Sequence, residues 1–258
     1  MPETRNSPDR CGADAGRSAA LDIADLAVSH DGKPVFGQLS LRIFSGEIFG
    51  LAGVNGAGKT SLMKAIVNLL APDAGRILID GVPHHLPQSR KSIAYLPETF
   101  RPPATMTGGQ FLRLALGFHG IEYDPRLARG MALAAGLDPV ALNARIATLS
   151  KGNGQKIGLL ANFLTGCPLM MLDEPMEGLD PHARILLKTL LRGYRAQGKS
   201  VFLSSHILTD LEEICDRVAV LHGGRLAFTG PPAELLRQYG VADFETAFLA
   251  AITPENRQ

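Results

Sequence analysis

Ile48-Phe49-Gly50-Leu51-Ala52-Gly53-Val54-Asn55-Gly56-Ala57-Gly58-Lys59-Thr60 is the stretch on which the fold turns. Its first five residues are apolar throughout, which suits a strand covered on both faces and therefore central in a parallel sheet. The next eight match the Gly-x4-Gly-Lys-Thr pattern of a phosphate-binding loop, and Leu62, Ile66, Leu69 and Leu70 then repeat at helical spacing until residues 72–75. Strand, loop and helix follow in the order that such a loop requires. Glycines are needed because backbone N–H groups must turn inward around the phosphates, where a side chain would block the approach or forbid the dihedrals. The helix beginning near Lys59 adds its N-terminal partial positive charge. Lys59 is placed to reach the β- and γ-phosphates of a nucleotide, and the Thr60 hydroxyl to complete a magnesium shell.

Outward from this stretch, residues 39–43 (Leu-Ser-Leu-Arg-Ile) alternate as a strand with one buried and one wet face, which predicts an early antiparallel layer. Downstream, Leu169–Leu172 reads as a second buried strand, Asp180-Pro181 opens a helix, and residues 201–203 form a third apolar strand after Gly198. This alternation predicts a mainly parallel sheet. Residues 102–164 carry helical patterns such as Phe111, Leu114, Ala115 and Phe118, with no convincing strand, and read as a helical insertion. Short strands at 218–221 and 226–228 flank His222-Gly223-Gly224, and Pro231-Pro232 opens a helical tail. The expected organisation is an extension over 1–20, an α/β core over 21–101 and 165–230, the helical insertion over 102–164, and a tail over 231–258.

Composition narrows the function classes. With 26 basic and 25 acidic residues among 258, the net charge of +1 creates no large field, so nothing favours a nucleic-acid partner bound mainly through phosphate neutralisation. Cys11, Cys167 and Cys215 are far apart and have no metal-ligand spacing, so a reduced compartment fits best. The most apolar stretch, residues 159–172, is interrupted by Asn162, Thr165, Gly166 and Pro168, short of the ~20 apolar residues that cross a bilayer. Residues 1–18 are polar, include Glu3, Asp9 and Asp14, and read as a disordered extension rather than a secretory signal.

Two further groups carry chemistry. Asp173 and Glu174 stand at the end of a buried strand, the edge at which ligands bind in open parallel sheets. Asp173 is placed to hold magnesium through water, and Glu174 to polarise or deprotonate the water that attacks the γ-phosphate. His206 follows the third apolar strand through Ser204-Ser205, which brings an imidazole to the same edge as a γ-phosphate contact. His84, His85, His119, His182 and His222 read as surface or packing residues.

The order of these motifs resembles the ATP-binding subunits of ABC transporters over residues 21–252. Leu149-Ser150-Lys151-Gly152-Asn153-Gly154-Gln155 is similar to the family signature, Gly178-Leu179-Asp180-Pro181 to the D-loop, and Ser204-Ser205-His206 to the switch histidine. Lys151 and Asn153 depart from the commonest signature, in a Ser-Lys-Gly form similar to that of exporters. The resemblance implies a P-loop NTPase core with an N-terminal antiparallel β layer and an inserted α-helical subdomain. It implies ATP and Mg2+ as ligands, with Gly53, Asn55, Gly56, Ala57, Gly58, Lys59, Thr60 and Ser61 around the phosphates. Glu98, in Tyr95-Leu96-Pro97-Glu98, occupies the place of the glutamine that usually links magnesium to the membrane subunit. His30 falls near the residue that stacks on adenine, and Glu177 replaces the small polar residue common before the D-loop glycine.

By the same resemblance, Ser150 and Gly152 of one protomer cap the nucleotide held by Lys59 of another, in a homodimer or heterodimer. Membrane-spanning subunits are the further partners, and the chain is expected at the cytoplasmic face of the cell membrane, driving export rather than import. A small-molecule P-loop kinase would share Gly53 to Thr60 but would not need the signature. A GTPase would need an Asn-Lys-x-Asp run, which is absent. ABC ATPases acting on ribosomes or DNA usually carry tandem cassettes, whereas this chain has one.

Overall fold

A computed structural model describes residues 17–30 and 32–253. The chain runs β1 (Ala19–His30), β2 (Lys33–Phe44), β3 (Ile48–Ala52), α1 (Lys59–Ile66), β4 (Ala74–Ile79), β5 (Val82–Pro83), α2 (Pro87–Arg90), β6 (Ile93–Leu96), α3 (Gly108–Phe118), α4 (Pro125–Ala134) and α5 (Lys151–Thr165). It continues through β7 (Leu169–Leu172), α6 (Pro181–Ala196), β8 (Ser200–Ser205), α7 (Leu208–Ile214), β9 (Arg217–His222), β10 (Arg225–Gly230), α8 (Pro232–Tyr239) and α9 (Phe244–Ile252). Most of the extension expected over 1–20 lies outside the described residues, and β1 begins at Ala19.

Six strands form the central sheet in the order β10-β9-β3-β8-β7-β6. All neighbours are parallel except β9 and β10. The all-apolar β3 lies inside this sheet, with every residue buried. Its side chains alternate between two cores, as strand geometry dictates. Ile48 and Ala52 join the core shared with α6, α7 and α9, while Phe49 and Leu51 join the one shared with α1 and the antiparallel layer. That layer has the order β2-β1-β4-β5.

Helices α3, α4 and α5 bury their own apolar faces against one another through Leu112, Ala128, Ala132, Ile157 and Leu160. On the other side of α5, Leu159 and Phe163 join the sheet's core. The helical insertion is thereby anchored to the strands that carry the cleft. Helix α1 is shorter than its apolar spacing predicts. The chain leaves the helix after Ile66, Asn68 takes a left-handed φ of 60°, and the amides of Leu69 and Leu70 both return to the Lys64 carbonyl. Leu69 is consequently 70% exposed rather than part of a helical core face. Among the described residues no helix is long and apolar enough to cross a membrane.

Candidate functional site

Parallel register brings the polar strand ends to one edge of the sheet. Ala52 pairs with Ser205, Leu172 with Leu203, and Leu96 with Leu172. The next residues, Gly53, Asp173-Glu174 and His206, therefore emerge together, with Glu98 two positions beyond Leu96. A cleft of about 660 Å³ opens here, within the range typical of small-molecule sites.

The loop after β3 forms one wall. Gly56 and Gly58 have φ of 81° and 103°, and the Ala57 amide donates to the Val54 carbonyl. Gly58 cannot be replaced freely, because a Cβ there would lie 2.8 Å from Phe36 Cε1 and 2.9 Å from Val35 Cγ1. Lys59 curls back so that Nζ donates to the Gly53 carbonyl at 2.8 Å, and its side chain is only 7% exposed.

Glu174 occupies the centre. One carboxylate oxygen, Oε1, lies 3.3 Å from Lys59 Nζ, and the other, Oε2, lies 2.8 Å from His206 Nδ1 and accepts from the His206 amide at 3.2 Å. Its backbone φ of 49° is in the left-handed region, a costly conformation for a glutamate that clusters at functional sites. The Ser204 hydroxyl supports it by accepting from the Glu174 amide at 2.9 Å while donating to Asp173 Oδ1 at 2.6 Å. Asp173 is fully buried and is not among the residues lining the cleft, and its Oδ2 has no hydrogen-bond partner in the protein. At the mouth, the Thr60 hydroxyl donates to Glu98 Oε2 at 3.4 Å.

Thus His30, Asn55, Gly56, Ala57, Gly58, Lys59, Thr60, Ser61, Glu98, Glu174 and His206 all line this one cleft. Gly53 stands behind it, where a Cβ would lie 2.9 Å from the Leu221 carbonyl oxygen. Ser150 and Gly152 do not line it. They start α5, where the Ser150 hydroxyl accepts from the Asn153 amide at 3.2 Å, and a Cβ on Gly152 would approach the Gly178 carbonyl to 3.1 Å. Three lining residues were not singled out by sequence reasoning as ligand contacts: Val35, Val54 and Glu177. Val54 is a valine within a phosphate-loop pattern and 45% exposed, and its apolar character was the available signal.

The donor set fits a magnesium ion. Among the described residues no three His, Cys, Asp or Glu side chains cluster as a metal cage. A hydroxyl and two carboxylates, one with an unpartnered buried oxygen, suit a cation that takes its other oxygens from water and phosphate.

Comparison with known proteins agrees with this geometry. Residues 36–177 match the family model described as ABC transporter. The chain is 35% identical over 221 residues to Nod factor export ATP-binding protein I of Rhizobium etli, covering 84% of this chain and 70% of that protein. It is 37% identical over 203 residues to an uncharacterized ABC transporter ATP-binding protein of Nostoc sp., covering 76% of this chain and 60% of that one. A solved ATP-binding subunit of an ABC transporter superposes with a TM-score of 0.84 at 31% identity, over 90% of this chain and 99% of that chain. A bacterial Atm1-family ABC exporter with ATP bound shares the fold, with a TM-score of 0.78 at 19% identity over 94% of this chain and 44% of that one.

Proposed function

This chain belongs to the ABC transporter family as an ATP-binding subunit, and from that premise we propose that it hydrolyses ATP in the cleft at the end of β3 to power export through separate membrane subunits. The observation that carries the reading is the convergence of Lys59 Nζ and His206 Nδ1 on the two carboxylate oxygens of Glu174. A cation for phosphate, a base for water and an imidazole for the γ-phosphoryl oxygens are thereby assembled within hydrogen-bonding reach.

In this reading the triphosphate lies against the amides of residues 53–61. Lys59 turns from Glu174 Oε1 to the β- and γ-phosphates, leaving that oxygen to accept a proton from the attacking water. As the water oxygen bonds to the γ-phosphorus, the bond to the β–γ bridging oxygen breaks, and His206 donates a hydrogen bond to the γ-phosphoryl oxygens. Thr60, Glu98 and Asp173 would hold the magnesium ion, which when bound neutralises phosphate charge. His30 and the apolar side chains Val35 and Val54 face the nucleoside end. Ser150 and Gly152 close the nucleotide site of a second copy or a related subunit, which accounts for their place outside the cleft of their own chain.

In this reading the membrane-spanning partner docks at a groove of about 440 Å³ lined from α1, α2, β6 and the end of α3, beside Phe118, which is 82% exposed. Export as the direction is supported by the Nod factor export relatives. The cytoplasmic membrane face follows from ATP supply and from the membrane partner.

The test is Mg2+-dependent phosphate release by the purified chain. Glu174→Gln is expected to keep nucleotide binding and to lower turnover by roughly 10²- to 10⁴-fold, the usual worth of a general base. Unchanged turnover would overturn the assignment.

A further inference from the structure

Two buried polar atoms beside the cleft have no hydrogen-bond partner in the protein: Asp173 Oδ2 and the Tyr95 hydroxyl. They belong to neighbouring strands. Tyr95 on β6 pairs with Met171 on β7, and the ladder continues as the Asp173 amide donates to the Leu96 carbonyl at 2.9 Å. Asp173 stands two residues past Met171, so its side chain and that of Tyr95 leave the sheet on the same face. Tyr95 and Met171 pack into the same core beneath α1, which agrees with that placement. Diagonal neighbours on one sheet face lie roughly 7–8 Å apart, a gap that a tyrosine can span.

Ser204 on β8 donates to Asp173 Oδ1 at 2.6 Å, Oδ2 has no protein partner, and β6, which carries Tyr95, flanks β7 on the side opposite β8. Burial, and then the carboxylates of Asp173 and Glu98, push the phenol's pKa upward, so it keeps its proton and remains a donor at every physiological pH. An unsatisfied buried donor and an unsatisfied buried acceptor on neighbouring strands are each costly alone and complementary as a pair.

Building on the proposed function, we infer that Tyr95 is a positioning residue for the divalent cation, its O–H holding Asp173 Oδ2 through one water that belongs to the cation's shell. Ser204 and Tyr95 then fix the Asp173 carboxylate from both sides, as outer-shell partners fix ligating carboxylates elsewhere. The ring of Tyr95 also walls the groove assigned to the membrane partner, so a single side chain touches both places.

Tyr95→Phe removes only the hydroxyl. The affinity of Mn2+ for the full chain, saturated with a non-hydrolysable ATP analogue, is measured by titration calorimetry, alongside analogue affinity in the presence of a chelator. The expected result is a loss of about tenfold or more in Mn2+ affinity, typical of outer-shell substitutions, with metal-free analogue affinity unchanged. Mn2+ affinity within twofold of wild type would overturn the inference, and so would an equal fall in both affinities, which marks a packing role. Wild-type protein that bound no analogue at all would instead sink the proposed function, and this inference with it.

Discussion

Lys151 Nζ lies 2.9 Å from Glu177 Oε1, joining the first turn of α5 to the loop after β7 across 26 residues of sequence. Lys151 and Glu177, two of the departures from the commonest family pattern in these segments, are therefore partners. Glu177 lines the nucleotide cleft, and beside it Gly152 packs on the Gly178 carbonyl. With side chains 77% and 42% exposed, the pair adds little to stability. Its consequence is electrostatic: Lys151 offsets the charge of a carboxylate that lines the cleft.

Lys151→Ala should accordingly weaken ATP binding up to about fivefold at low salt, the equivalent of ~1 kcal/mol for an exposed pair. Adding Glu177→Ala should restore the affinity. The effect should shrink as ionic strength rises. Calorimetric titration of both variants at two salt concentrations checks this, and a Lys151→Ala defect that survives Glu177→Ala would refute the offset.

Lys59→Ala removes a charge-assisted contact worth about 1.5–3 kcal/mol and leaves Glu174 Oε1 without its cation. Nucleotide affinity should fall by roughly 10- to 150-fold, as read by calorimetry.

Gly58→Ala places a Cβ against Phe36 and Val35 at a residue whose φ is 103°. Relief requires the loop itself to move. The cost should be about 1–3 kcal/mol in denaturant unfolding, with loss of nucleotide binding beyond what reduced folding explains.

Lys188 Nζ lies 2.8 Å from Asp210 Oδ1 and also bonds Glu213, tying α6 to the helix that follows His206. Burial lowers the ammonium's pKa, but the hydrogen bonds it donates to Asp210 and Glu213 outweigh burial and raise the pKa above its ordinary 10.5. The folded state holds the proton more tightly, so this stabilisation is complete below pH 10.5 and is lost as pH climbs through the raised folded value. Lys188→Met strands the buried Asp210 carboxylate and should cost about 3 kcal/mol near neutral pH, measured by urea unfolding. The difference from wild type should narrow on the alkaline side, as the ammonium loses its proton, and again on the acid side, as pH falls through the lowered pKa of Glu213.

Much of the site is legible in the sequence because it is written in short segments. The apolar run Ile48–Ala52, the glycines of residues 53–58 and the Asp173-Glu174 step after Leu169–Leu172 each state their conformation locally. Local rules also set limits. Apolar spacing extends α1 to Leu70, whereas left-handed Asn68 ends it early.

What the chain's order of residues determined by itself was the kind of fold, the phosphate loop and the identity of the groups at the sheet edge, since backbone preference and apolar periodicity act over a few neighbours. Only the tertiary structure decided which groups meet. Glu174 between Lys59 and His206, Asp173 against Ser204, and Lys151 against Glu177 all depend on the strand order β3-β8-β7-β6 and the packing of α5 on the loop after β7. Those contacts join residues 26 or more positions apart, whose proximity is set by burying the sheet's two faces rather than by any local conformational preference.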